Sequence, residues 1–332
     1  MAKIVLGLGT SHGPMLVTTP DLWDLRLPDD RRNPHPWRGR MWSYEELIAA
    51  RRGENLAAQT VREVQYARYE QCQRAVAELA RVYESARPDI AVIVGNDQME
   101  VFNENLIPAF SVLWGTKIVS SAIPDERLAK MPPGIPESIP GYIPPGGAVY
   151  PAQSDLAKHI ISCAMAEGFD VASMRSWPKP ETPHAFGFIY RHIMRDNPIP
   201  SVPILINTFY PPNQPTARRC YDFGKTILRA IQSWPSDLRV MLVASGGLTH
   251  FAIDEDMDAR FFEAFRRREI ESIAQLGEGV FQDGTSEVKN WIPVAGAMAD
   301  LGYEMTVVDY VPCYRSVAGT GNAMGFVYWR GQ

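Results

Sequence analysis

The sequence predicts an α/β protein, a single domain over residues 1–332 with a central mixed sheet flanked by helices on both faces. Three observations predict it. Apolar, β-branched runs recur along the chain, helical patterns lie between several of them, and 45% hydrophobic content over 332 residues suffices for a large core. In chain order, residues 4–8 form the first strand. Residues 44–83, rich in Ala, Glu, Arg and Gln, read as a helical insertion with a break at Gly53. Residues 90–94 and 110–119 are the next strands. Residues 124–151 carry eight prolines and cannot be a regular helix or a central strand. This stretch reads as a rigid surface loop or as a wall over a pocket. Helices over 153–166, 216–234, 256–273 and 286–300 then alternate with strands over 202–208, 238–244 and 305–310. No internal repeat or linker interrupts the series.

Composition excludes several classes. The net charge is −5 and no Lys/Arg-rich stripe occurs, which argues against a nucleic-acid partner. No 18-residue apolar stretch exists, which argues against a membrane span. The N-terminus enters a strand pattern without a signal-peptide layout, so a cytoplasmic protein is expected. Cys72, Cys163, Cys220 and Cys313 are far apart and form no CxxC pair, against a disulfide framework or a structural zinc site.

The glycine motifs are poor cofactor signals. "GLGTSHG", residues 7–13, has the spacing GxGxxxG, and Pro14 follows where a dinucleotide fingerprint needs a helix. "GTGNAMG", residues 319–325, has the same spacing. The hydrolase pattern GxSxG is absent.

Of six histidines, three stand apart. His12 follows the first strand, His250 follows the apolar run over 238–244, and His184 sits in a Pro/Gly-containing loop. Ligands of open α/β sheets bind beyond the carboxyl ends of strands, so His12 and His250 can meet in one crevice; buried, hydrogen-bonded histidines would show the same pattern. His35 reads as a surface residue, and His159 and His192 as ordinary, partly exposed side chains. The strand over 90–94 runs into Asn96, Asp97, Gln98 and Glu100, where Asp97 is a natural turn residue. Glu287 follows Thr285 and Ser286, either of which can cap a helix holding Glu287 in its first turn, where a carboxylate also suits the helix dipole. Two imidazoles and one carboxylate on one face are the ligand set of a non-haem Fe(II) site.

Five blocks, "GTSHGPML", "VPILINTFYPPNQPTARRC", "SGGLTHF", "GTSEVKNWIPVAGAM" and "PCYRSVAGTGNAMGF", occur in this order. Together they resemble the class III extradiol ring-cleavage dioxygenases, the group of protocatechuate 4,5-dioxygenase catalytic subunits, and most closely the 3-O-methylgallate dioxygenases. The resemblance covers nearly the whole chain. It implies a mononuclear non-haem Fe(II), a small catechol- or gallate-type aromatic substrate, O2 as co-substrate, and a homodimer. His12 and Glu287 match two metal ligands, His250 the acid/base histidine, and His184 a further active-site histidine. Tyr150 and Arg315 are candidates for contacting a substrate carboxylate.

One position departs. The family's second histidine ligand follows Asn-Asp, and this chain has Gln98 there. A neutral amide is a weaker donor than imidazole. Asp97 or Glu100 can supply a carboxylate instead, which would favour another divalent metal. Two readings follow. One is an extradiol dioxygenase, an oxidoreductase of aromatic-compound catabolism. The other is a metal-independent hydrolase, tautomerase or decarboxylase that uses His12, His184 and His250 on a phenolic or ring-opened metabolite.

Overall fold

The computed structural model describes residues 1–331. Its strands are β1 (Lys3–Thr10), β2 (His35–Trp37), β3 (Arg40–Trp42), β4 (Ile90–Gly95), β5 (Phe110–Leu113), β6 (Lys117–Ser120), β7 (Ala148–Pro151), β8 (Ala172–Met174), β9 (Ser201–Ile206), β10 (Arg239–Ser245), β11 (His250–Ala252), β12 (Glu304–Tyr314) and β13 (Thr320–Arg330). Nine of them form one mixed sheet, in the order β11-β13-β1-β10-β4-β9-β5-β8 with β12 also paired to β13. The pairs β2–β3 and β6–β7 are separate two-stranded ribbons.

The centre of the sheet is a parallel quartet, β1-β10-β4-β9. All six residues of β4 and all six of β9 are buried, because helices cover both faces. On one face lie helices Ser154–Ala166, Ala217–Ser233, Glu255–Arg267 and Val288–Asp300, whose side chains join Val92, Val94, Ile204 and Leu242 in one core. On the other, the 25-residue helix Arg62–Ala86 buries Cys72, Val76, Leu79 and Val82 against Leu6, Leu8, Ile93 and Val243. The α/β class and the two-sided helical cover are as the sequence predicts. The four parallel strands all end on the same side, and that side carries the chemistry.

The details differ in several places, and the helix expected over 256–273 is two, Glu255–Arg267 and Ile270–Ala274, broken at Arg268. The run over 110–119 is two strands: Trp114 donates its backbone N–H to Met174, and the chain then leaves the main sheet to pair with β7. The segment 44–83 is the helix Tyr44–Ala50, two short turns around Gly53, and the long helix Arg62–Ala86. Ser43 and Glu46 close a reciprocal capping box at its start. The glycine-containing stretch 319–325 lies in and before β13, which pairs along its length with β12. The proline-rich stretch folds into short helical turns, Asp125–Leu128 and Pro136–Gly141, followed by β7. No helix of the described residues is long and apolar enough to cross a membrane.

Candidate metal centre and active site

His12 stands two residues beyond β1 and is 1% exposed. Its Nδ1 lies 2.9 Å from the Ser245 hydroxyl at the end of β10. That hydroxyl donates to the carbonyl of Ala185 at 2.6 Å, so toward His12 it accepts. In the neutral ring the proton of His12 is therefore on Nδ1 and Nε2 is a lone pair, whereas in the charged ring Nε2–H donates to Glu287. Nε2 faces Oε2 of Glu287 at 3.1 Å.

Glu287 closes the turn Asp283–Glu287 just ahead of helix Val288–Asp300. No side-chain cap forms there, and the Ser286 hydroxyl is buried without a partner. Glu287 instead turns inward, where its Oε1 accepts from Asn96 at 3.1 Å and Gln98 at 3.2 Å, and its Oε2 from the backbone N–H of Gly247 at 2.7 Å. Asn290 donates to Asn96 and so fixes the Asn96 amide. Burial would raise the Glu287 carboxyl, but His12, His250 and His184 outweigh it and hold it well below the usual carboxylate range. Burial lowers His12 below the ordinary imidazole value against the opposing pull of Glu287.

With the ring neutral, two acceptors, a ring nitrogen and an ionised carboxylate oxygen, thus face each other at 3.1 Å in a buried site. A shared cation relieves that opposition, and a divalent metal fits the donor set. His184 completes a three-residue group: donor atoms of His12, His184 and Glu287 all lie within 4.8 Å of one another. The rings of His12 and His184 meet edge to face, with centroids 4.5 Å apart. Nδ1 of His184 and its backbone N–H both bond to Glu100, each at 2.8 Å. Burial pulls His184 down, but the Glu100 carboxylate more than offsets it and lifts the ring to about 9.

His250 opens β11. Its Nδ1–H donates to the Leu248 carbonyl at 2.9 Å, leaving Nε2 toward the cluster, 3.8 Å from Oε1 of Glu287. The ring is held between Gly247 and Gly284. A methyl group at 247 would stand 2.6 Å from His250 Cε1, and one at 284 would stand 2.4 Å from Cδ2. The slot exists because both residues lack a Cβ.

A family profile for the catalytic LigB subunit of aromatic ring-opening dioxygenase matches residues 59–315. The chain belongs to this family. Among curated relatives, the gallate dioxygenase of Pseudomonas putida KT2440 is 30% identical over 173 residues, 48% of this chain and 48% of the relative. The 2,3-dihydroxyphenylpropionate/2,3-dihydroxicinnamic acid 1,2-dioxygenase of Photorhabdus laumondii is 29% identical over 177 residues, 52% of this chain and 46% of the relative. Each match spans about half the length of the relative. A crystal structure of an uncharacterized Escherichia coli K12 protein aligns at a TM-score of 0.46 and 14% identity, over 76% of this chain and 91% of that one.

In this LigB-family chain, His12, His184, His250 and Glu287 converge as their sequence positions suggest, and three other candidates are placed differently. Gln98 offers its amide nitrogen to Glu287, while its carbonyl oxygen accepts from the Tyr210 hydroxyl at 3.1 Å. Tyr150 is buried against Tyr190, whose hydroxyl bonds Ser201 at the start of β9. With β9 six residues long, that is about 17 Å from the end carrying the cluster. Arg315 is buried in a two-pronged ion pair with Asp30, at 2.6 and 2.7 Å, and its remaining Nη1 meets the Met15 sulfur. Its charge is already matched, so it is a poor carboxylate receptor. His35, expected at the surface, is buried and bonds the Asp30 carbonyl. Asp97 is the turn residue its type suggests, accepting the backbone N–H groups of Glu100, Val101 and Phe102.

Two site residues lay outside the sequence reading. Tyr142, from the proline-rich stretch, donates to the backbone carbonyl of His12 at 2.9 Å and lays its ring edge-on to His184 at 5.5 Å. Part of that stretch is thus a wall of the site. Tyr210 bonds Gln98 from the loop after β9. The flanks of Tyr142 resemble those of any buried aromatic, and Tyr210, although inside the block VPILINTFYPPNQPTARRC, carries no local mark that sets it apart there.

Proposed function

We propose that this chain is a ring-opening dioxygenase acting on a catechol- or gallate-type aromatic, with a divalent metal seated between His12 and Glu287 and His250 as the acid/base group. The observation that supports this reading is the buried approach of His12 Nε2 to Glu287 Oε2 at 3.1 Å, with His184 and the Nε2 of His250 beside it. A divalent metal held there supplies Lewis acidity toward the vicinal oxygens of the ring and redox chemistry toward O2.

The chain's own groups do the rest. His250 keeps Nδ1–H on the Leu248 carbonyl, so Nε2 is the atom that takes a phenolic proton and later returns one. Glu287 at 3.8 Å stabilises the imidazolium formed in between. Asn96, Gln98 and the Gly247 N–H hold the carboxylate in one orientation, so it needs little rearrangement to bind a cation. Tyr142 and Tyr210 border the cluster, and the burial of His12 and Glu287 keeps bulk water from its floor.

The test uses protein purified without oxygen, metal analysis, and an oxygen electrode with gallate, protocatechuate and catechol. The expected result is about one metal per chain and oxygen uptake matched to loss of one of these substrates. Turnover of a phenolic compound under argon by chelator-treated protein would overturn it and favour metal-free acid/base chemistry.

A further inference from the structure

We propose that the metal centre of this chain has exchanged one of its imidazoles. His184 supplies the donor missing at Gln98, Glu100 is the residue that positions it, and Gln98 serves as a brace for Glu287. This inference rests on the metal-dependent reading above.

Three features of the geometry carry it. Gln98 sits where an imidazole is expected, yet both ends of its amide are committed. Its nitrogen donates to Oε1 of Glu287 at 3.2 Å and its oxygen accepts from Tyr210 at 3.1 Å. An amide N–H has no lone pair to offer, so in this orientation Gln98 orients the carboxylate and does not join it as a ligand.

His184 comes from a different part of the chain, the start of helix His184–Phe188, and reaches the same cluster. Its donor atom is within 4.8 Å of those of His12 and Glu287, which are already 3.1 Å apart. Donors on one face of a metal with bonds of about 2.1 Å are about 3 to 3.5 Å apart, so closure by about an ångström completes the set. The His184 side chain is 15% exposed, on the rim of the cluster.

Glu100 then explains why His184 points inward. One carboxylate oxygen takes the His184 backbone N–H and the other takes Nδ1–H, each at 2.8 Å. That grip orients the main chain and the ring, and it leaves Nε2 as the nitrogen that gives up its proton when a cation binds. A carboxylate behind a ligating imidazole is a recurrent way to set its tautomer and strengthen it as a donor. Glu100 lies two residues after Gln98, so the strand end without the imidazole supplies the acid that holds its replacement.

The test is Co(II) binding to the metal-free full chain, read by calorimetry and by the visible ligand-field spectrum, in wild type and in His184→Ala, Glu100→Gln, Gln98→Ala and Gln98→His/His184→Ala. Circular dichroism and urea midpoints check each fold. His184→Ala is expected to weaken Co(II) by more than about 100-fold, and Glu100→Gln by about 10- to 100-fold with a shifted spectrum. Gln98→Ala is expected to cost less than His184→Ala, and the double variant to recover most of the affinity by restoring an imidazole at 98. If the wild type binds no divalent metal, the metal-dependent reading fails and this inference with it. If the wild type binds Co(II) and folded His184→Ala binds it equally well, or Gln98→Ala costs as much as His184→Ala, only the exchange is overturned.

Discussion

Substituting Gly284 by alanine tests whether His250 must stand where it does. The added methyl carbon would lie 2.4 Å from Cδ2 of His250, 2.5 Å from Cγ and 2.6 Å from its carbonyl oxygen. Carbon atoms pack at about 3.5 to 4.0 Å, so the ring has to move by about 1 Å. It cannot slide straight back, because Gly247 closes the opposite side of the slot. The movement strains the 2.9 Å bond from Nδ1–H to the Leu248 carbonyl, which alone fixes the tautomer. Overpacking of this kind costs about 1–3 kcal/mol, offset by about 0.4–1 kcal/mol from a stiffer unfolded chain. The net loss of stability, on the order of 1–2 kcal/mol, leaves the protein folded. Turnover is far more sensitive, since an ångström of misplacement costs about 100-fold. Ring-opening rates by oxygen electrode are therefore expected to fall about 100-fold in kcat, while Co(II) affinity changes little because His250 lies outside the three-donor group. A folded Gly284→Ala protein with wild-type kcat and an unshifted pH profile would refute the assignment of proton transfer to His250.

Two further outcomes follow from buried charges. Burial raises Asp258 to about 7, against hydrogen bonds from Thr249 and Tyr310. Its folded-state value lies above its unfolded one, so the folded form holds the extra proton, and this contribution to stability is lost as pH rises from about 4 to about 7. Asp258→Asn is expected to flatten that part of the urea-midpoint profile relative to wild type; parallel profiles would contradict the assignment. Arg315→Met strands Asp30 in the core with only the Thr320 hydroxyl, and breaking such a pair costs about 3–5 kcal/mol. Denaturation should show that loss, whereas KM for carboxylated and uncharged catechols should change together; a rise confined to the carboxylated ones would return Arg315 to the substrate pocket.

The parts of the fold that were legible are those buried on both faces. β4 and β9 read as unbroken apolar runs because helices cover each side, and β1 and β10 share that signature. β13 was not legible. Gly319, Gly321 and Gly325 give its stretch the look of a loop motif, and only its pairing with β12 makes it a strand. The break within 110–119 was hidden for a related reason. Phe110–Leu113 and Lys117–Ser120 follow each other in one short run, and what separates them is the choice of partner, β8 and β9 for one and β7 for the other. Local composition carries no record of that choice.

The site divides along the same line. His12 and Glu287 sit at element ends where ligands gather, so position pointed to them, whereas Gln98 was singled out from Asn96, Asp97 and Glu100 only by the family resemblance. Glu100 and Tyr142 are defined by what they reach across space. An acid five residues past the end of β4, in a turn already capped by Asp97, has every local feature of a solvated side chain. Its grip on His184, 84 positions further on, exists only in three dimensions. Tyr150 shows the converse. It stands in the same proline-rich stretch as Tyr142, eight residues later, and the path through residues 143–147 and into β7 sends the two rings to opposite ends of β9. Substitution at Gln98 is therefore informative only together with Glu100 and His184. Read singly, the amide looks like a damaged metal site; read with the carboxylate two residues on and the imidazole it clamps, the same change still leaves two imidazoles, His12 and His184, beside Glu287.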